Sequence, residues 1–379
     1  MSDKEASLRL VVFDFGTTVT RGVAKRIKAP SYLLSKGAVS YTSMKIVATQ
    51  SGSVGATPAS WRLEMKRAIR DPYELMSVLG LDPSAVDMEA CGLFSLFAPL
   101  PFVRRIEPGD AQDPLLLQLL PQAAETREVP GFGADPVGDQ TASQGYGIIK
   151  KYSGRALLVL TGACAIHCRY CFRREFPYGE NQAWRKNWPL TVERLKADQS
   201  LSEVILSGGD PLTLDDDAWE EILDGLSEIP QLKRIRIHSR LPIMIPSRVT
   251  QDWLAALERC RLECVMVIHA NHPAELDSEV RARLHEVSRV ATLLNQSVLL
   301  RGINDEISTQ RQLSERLLEC RVIPYYLNLL DRVRGAAHFE VSDEEGVVLI
   351  EQLRQRLPGY LIPRLVRDEG SGLSKRVVT

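Results

Sequence analysis

Beyond Lys150 the chain alternates between short, nearly continuous apolar runs and longer stretches with apolar residues at helical spacing. The runs fall at 156–161, 204–207, 235–238, 265–269, 292–300 and 323–330. The amphipathic stretches fall at 217–227, 250–259, 278–290 and 308–319. Strands apolar on both faces, alternating with amphipathic helices, predict a parallel sheet covered by helices. Six such units are too few for a closed eight-stranded barrel and suit an open, partial (β/α)6 barrel of the α/β class.

The texture upstream is different. From 61 to about 122 the pattern is helical, with Asp71-Pro72-Tyr73-Glu74-Leu75 supplying an N-cap, a proline at the first helical position and an apolar stripe. Asp113-Pro114 before Leu115, Leu116, Leu117, Leu119 and Leu120 repeats that signature. Residues 126–147 are rich in Gly, Pro and Asp and read as a long ordered loop. Residues 1–60 show no sustained periodicity; Asp14-Phe15-Gly16-Thr17-Thr18 after an apolar run looks like a phosphate-binding start, but it has no later partner motif. The expected division is an irregular extension over 1–60, a helical segment with a linker loop over 61–150, and the partial barrel over 151–379.

Composition narrows the function. A net charge of −1 and a pI near 6.6 give no basic surplus for nucleic acid. No apolar run reaches the ~18 residues that span a bilayer. The apolar stretch from Leu8 to Phe15 is broken by Arg9 and Asp14 and lacks a cleavage-site pattern, so no signal peptide is expected. Seven cysteines, three of them within eight positions, do not form a secreted disulfide framework. The expected compartment is a reducing, bacterial-style cytoplasm.

Polar residues cluster just after the predicted strand ends, at Cys164, Gly208-Gly209-Asp210-Pro211, His238-Ser239-Arg240, His269 to His272, and Asp331. That rim is where α/β barrels build active sites. Cys164, Cys168 and Cys171 have C-x3-C-x2-C spacing, and each can ligate one iron of a cubane cluster. Clusters usually take four thiolates, so three leave one iron for an exogenous ligand such as the amine and carboxylate of a methionine. Structural zinc is the competing reading, with His167 an awkward fourth ligand because it adjoins Cys168. Three merely buried thiols are another. Cys260 and Cys264 are a possible second pair near a helix end, while Cys91 and Cys320 read as core cysteines. Gly208 and Gly209 would let backbone approach a ligand closely, with Ser207 and Asp210 offering polar contacts.

Four stretches, 162–178, 234–248, 294–304 and 335–339, together resemble the lysine 2,3-aminomutase family of radical S-adenosylmethionine enzymes, over roughly residues 60–375. Within that family the resemblance is greatest to members that make β-lysine for elongation factor P. It implies the partial barrel of the radical S-adenosylmethionine type and three cofactors: a [4Fe–4S] cluster on the three cysteines, S-adenosylmethionine and pyridoxal phosphate. Gly208, Gly209 and Asp210 match where S-adenosylmethionine's amino group is held, and Gln296 and His269 match positions touching that cofactor or the pyridoxal region. Lys375 takes the Schiff-base position after Gly370-Ser371-Gly372-Leu373-Ser374, although Arg376 stands where the family has threonine. Lys151, Tyr152 and Arg155 lie where the family binds the phosphate. Arg173 resembles the guanidinium that holds the substrate α-carboxylate, a fork suited to a bidentate pair. Asp331 and Asp368 match two acidic positions for the distal ammonium, favouring lysine over glutamate.

The implied reaction starts with one electron from reduced flavodoxin or ferredoxin. A 5′-deoxyadenosyl radical then takes hydrogen from Cβ of free L-lysine, the nitrogen migrates, and hydrogen returns to Cα. The product would pass to a ligase acting on elongation factor P. Two features favour that pathway over catabolic lysine or glutamate aminomutation: the chain ends soon after Lys375, where catabolic relatives continue, and 172–178 resembles the pathway enzymes. A non-catalytic zinc-binding scaffold is the alternative from a different class. Met44 looks like a natural start, making 1–43 an expected extension.

Overall fold

A computed structural model describes residues 60–370 and 374–379, so the extension, the Asp14–Thr18 pentad, Met44 and the Ser371–Leu373 approach to Lys375 lie outside the described residues. All six apolar runs become parallel strands. They are β2 (Arg155–Thr161), β3 (Glu203–Gly208), β4 (Arg234–Ser239), β5 (Glu263–Ile268), β6 (Thr292–Val298) and β7 (Ile323–Asn328). Together with β1 (Ile148–Ile149), β8 (Arg364–Arg367) and β9 (Arg376–Val377) they follow sequence order in one sheet, with β1 and β9 antiparallel at its two edges. The sheet does not close, and the fold is the expected partial barrel.

A parallel pairing of β8 with β7 extends the sheet beyond the six expected units. Its four residues begin and end with arginine and read as a charged loop, yet Leu365 and Val366 between them are buried. The extra strand matters because Asp368 follows it directly.

The barrel helices stop and start on local chemistry. Asp215, Thr250, Asp277 and Ser342 each accept a backbone N–H at the start of Asp216–Ser227, Gln251–Arg259, Ser278–Val287 and Asp343–Arg354. Trp219 and Trp253, from the first two of these helices, meet edge to face at 6.0 Å with no exposure. Upstream, Asp71 caps Pro72–Leu79 as its sequence predicts, and Gly80 ends that helix at φ 66°. The second signature is different. Asp113 accepts the N–H groups of Leu115 and Leu116 at 2.7 and 3.0 Å, but the leucines form a run of turns. Pro121 disfavours helical geometry at Leu120, and the turns still bury Leu115, Leu116 and Leu119 completely.

These upstream residues share one core with strands β2 to β6. Their tie to the cysteine loop is ionic. Glu125 accepts from Arg169 Nε and Nη2 at 2.8 and 2.6 Å and from Arg174 Nη2 at 3.1 Å. The side chains of Glu125 and Arg169 are wholly shielded from solvent. Replacing Glu125 with leucine strands two buried guanidiniums and is expected to cost about 3–5 kcal/mol. Urea denaturation of the two proteins measures it; a loss below ~1 kcal/mol would mean that other groups already compensate those charges.

Candidate active site

β2 ends at Thr161, and the chain enters an irregular loop that carries all three motif cysteines at the C-terminal rim of the sheet. The loop is pinned from both sides. His167 N–H donates to Phe97 O and Arg169 N–H to Gln118 O, while Gly209 and Asp210 N–H donate to Thr161 O and Ala163 O at 2.7 Å. The close approach explains the glycines. A Cβ on Gly208 would lie 2.4 Å from Thr161 O, and one on Gly209 would lie 2.4 Å from Ala163 O. The space that Gly208 and Gly209 leave is therefore taken first by the cysteine loop's own backbone. Asp210 acts in the same way: its oxygens accept from Leu212 N, Ser239 Oγ, Arg240 N and Leu241 N, strapping β3 to β4.

Cys164, Cys168 and Cys171 line one cavity of about 460 Å³. Among the described residues, no three His, Cys, Asp or Glu side chains converge closely enough to hold a single metal ion. His167 also lines the cavity, but its Nδ1 is 2.9 Å from Ser95 O and its ring is stacked on Phe94. Three thiols on the wall of one cavity suit a polynuclear cluster, each able to take one iron. Burial pushes the Cys164 thiol well above its ordinary range and the Cys171 thiol up to about 11, with the neighbouring thiols adding to both. Holding them as thiolates calls for positive charge. Arg240 supplies some, donating Nη1–H to Cys168 Sγ at 2.8 Å, and an iron–sulfur core would supply the rest. Arg240 is itself fixed by Glu275, Gln118 and His269 O. Cys260 and Cys264 do not line this cavity; Cys320 is buried in the core as expected, whereas Cys91 is only half-buried.

The residues expected to bind cofactors or substrate line the same cavity: Gly208, Gly209, Asp210, Gln296, His269, Lys151, Tyr152, Arg155, Arg173, Asp331, Asp368 and Lys375; His272 does not. Lys375, beside the short edge strand β9, donates to Asn328 Oδ1 at 2.6 Å and lies 5.8 Å from the Tyr326 ring. Arg173 donates Nε–H to Asp139 at 2.7 Å and Nη1–H to Ser207 Oγ at 3.0 Å. Asp139 also pairs with Lys151 at 2.5 Å, so one buried carboxylate positions two expected ligand-binding cations. Burial opposes its charge, but Arg173 and Lys151 hold it below the usual carboxylate range. The Arg155 guanidinium lies over the Tyr152 ring, and its Nε is buried without a hydrogen-bond partner. That orphan donor, beside Lys151 and Tyr152, fits a phosphate. Gln296 Nε2 lies 3.0 Å from His269 Nε2. Among the described residues neither Asp331 nor Asp368 forms an ion pair, so the two carboxylates remain available to a cation. Asp139, Asn328, Tyr326 and Arg240 were not singled out as site residues. Asp139 sits in a polar loop with nothing to distinguish it, whereas Arg240 follows a strand end and carried that signal.

No family model matches the chain. L-lysine 2,3-aminomutase of Escherichia coli is 44% identical over 319 residues, which cover 83% of this chain and 93% of that one. The L-lysine 2,3-aminomutase of Haemophilus influenzae is 42% identical over 312 residues, 82% of this chain and 92% of that one. That of Clostridium subterminale is 32% identical over 322 residues, covering 84% and 77%. No helix among the described residues is long and apolar enough to cross a membrane.

The carboxylate pair has a pH signature. Burial pushes Asp331 up to about 6 from 3.8, with Asp368 adding to the shift and Lys375 opposing it. A carboxyl raised in the folded state stabilises the fold below its unfolded pKa. That contribution declines as pH rises above 3.8 and is gone above about 6. Asp331→Asn is therefore expected to melt higher than the parent at about pH 8, with the gap closing toward about pH 4. Thermal melts of ligand-free protein across that range check it, and a gap that does not change with pH would contradict the shift.

Proposed function

The chain belongs to the lysine 2,3-aminomutase family, isomerases of the radical S-adenosylmethionine type, and from that premise we propose that it converts free L-lysine to β-lysine. The observation that carries this reading is one cavity lined by three thiols and by Lys375, Arg173, Asp331 and Asp368. Cys164, Cys168 and Cys171 would hold a [4Fe–4S] cluster. S-adenosylmethionine would bind against Gly208, Gly209, Gln296 and His269, with Asp210 holding that rim in place. Lys375 would bind pyridoxal phosphate, with Lys151, Tyr152 and Arg155 at its phosphate. When bound, the cluster and S-adenosylmethionine supply a 5′-deoxyadenosyl radical, and pyridoxal phosphate carries the nitrogen that moves from Cα to Cβ.

The protein's own part is orientation. Arg173, held by Asp139 and Ser207, presents a fixed guanidinium to the α-carboxylate. Asp331 and Asp368 receive the ε-ammonium at the far end. Fixing both ends of lysine sets which of its carbons faces the radical. The buried rim keeps water from a reactive carbon centre. Reduced flavodoxin or ferredoxin would deliver the electron in the cytoplasm, and β-lysine would pass to the ligase that modifies elongation factor P.

An anaerobic assay of reconstituted protein with S-adenosylmethionine, pyridoxal phosphate, dithionite and L-lysine tests the proposal. β-Lysine is expected from the parent and from neither Cys168→Ala nor Lys375→Ala. Asp331→Asn removes one partner of the ammonium and is expected to lower kcat/KM on the order of 10²-fold, mostly through KM. Formation of 5′-deoxyadenosine without β-lysine would keep the radical chemistry and overturn the substrate.

A further inference from the structure

Along β4 the side chains alternate, as in any strand. Ile235 and Ile237 are fully buried in the core, while Arg236 and His238 line the cavity, with Arg240 next in the same alternation. Two of these three cavity residues are satisfied by protein. Arg236 pairs with Glu203, and Arg240 is held by Glu275, Gln118, His269 O and Cys168. The His238 side chain between them makes no hydrogen bond with any described residue. Its Nε2 is buried and unpartnered, and its contact is a ring-on-ring approach to His269 at 5.8 Å and 74°. Buried polar atoms are ordinarily paired, and an orphan on a cavity wall points to a ligand that pairs it.

The surroundings say which kind of ligand atom. Burial is the main influence lowering the His238 pKa, followed by His269, Arg236, Lys375 and Arg173. The imidazole is therefore neutral and has one N–H donor and one acceptor to offer. A charged ligand group would not choose it over the guanidiniums and ammoniums on either side. A neutral heteroatom of a ring covalently fixed at Lys375, whose charge His238 feels, is well suited to it.

We propose that His238 is a binding residue for the pyridine ring of pyridoxal phosphate, giving a neutral hydrogen bond to its ring nitrogen or phenolic oxygen. This rests on the reading of Lys375 as the cofactor's attachment point. His238 then complements the cationic phosphate site without adding charge. It also helps fix the ring's angle over the cavity.

The test is a spectrophotometric titration of the protein, its cluster reconstituted, with pyridoxal phosphate. It follows the absorbance band that attachment to Lys375 produces. The parent is expected to bind and show the band. His238→Phe keeps a ring against His269 but has no polar atom, and is expected to bind about tenfold more weakly with a shifted band. His238→Gln, neutral and able to donate and accept, is expected to recover most of both. Repeating the titration with 3-deoxypyridoxal phosphate separates the two atoms: the phenylalanine defect disappears if the phenolic oxygen is the partner and persists if the nitrogen is. Should His238→Phe lower the melting temperature, His238→Leu takes its place in the comparison. A variant with parental affinity and an unmoved band overturns the role of His238 while leaving the Lys375 reading intact. A parent that binds with no Lys375-dependent band overturns both.

Discussion

The Glu125 carboxylate, enclosed by Arg169 and Arg174, is the contact on which the rest of the site depends. The cysteine loop is irregular backbone and has no sheet ladder to fix it. Arg169 lies inside the motif, between Cys168 and Cys171, and is completely buried. Its guanidinium reaches Glu125, Phe94 O and Ala90 O, so upstream residues serve as the loop's second wall. A buried ion group of this kind gains little net stability over a well-packed apolar one. Its value is geometric: no nearby alternative position of the loop could satisfy three buried charges together. Gly208 and Gly209 at the end of β3 then bring the other side of the loop within backbone hydrogen-bonding distance, and the thiols line one cavity.

The same cavity sorts charge along its length. At the cysteine end, Arg173, Arg174 and Arg240 surround thiols that burial disfavours as thiolates. Toward Lys375 carboxylates stand among the cations, Asp139 paired with Lys151, and Asp331 and Asp368 without an ion pair among the described residues. Between the two ends lie His238 and His269, both kept neutral, the second pushed down to about 3 by burial together with Arg240, Lys375 and Arg173. Neutral imidazoles between two charged regions keep hydrogen-bonding capacity there without adding another cation to a crowded field.

Most of the barrel was legible in the sequence because buried parallel strands write themselves as short apolar runs, and all six runs became strands. β8 was not, since its two buried residues are flanked by arginines that mask the signal. Leu115 to Leu120 misled for the opposite reason, with helical composition but a proline immediately after it. The three cysteines and most of the polar residues after strand ends fall on the lining of one cavity. What the sequence could not give was pairing. Asp139 lies 34 positions from Arg173, and Glu125 lies 44 from Arg169, and nothing local records that each is the other's counter-ion. Lys375 stands apart again: alone it reads as a tail lysine, and only resemblance to a family gave it a role before the fold placed it beside Asn328.

The unpaired carboxylates carry the choice between lysine and glutamate further than their identity alone. Three cations nearby already have protein partners: Lys151 has Asp139 and Val137 O, Arg173 has Asp139 and Ser207, and Lys375 has Asn328. Among the described residues Asp331 and Asp368 line one cavity without an ion pair, and burial, with the Asp368 charge adding and the Lys375 charge opposing, raises the Asp331 pKa to about 6. An arriving ammonium would offset that repulsion and favour the ionised form of Asp331, so the gain on binding is larger than one ion pair in water would give. A distal carboxylate would instead add a third negative charge beside these two. On the proposed reading, the region selects for lysine through an electrostatic imbalance that the fold maintains and only a cationic side chain resolves.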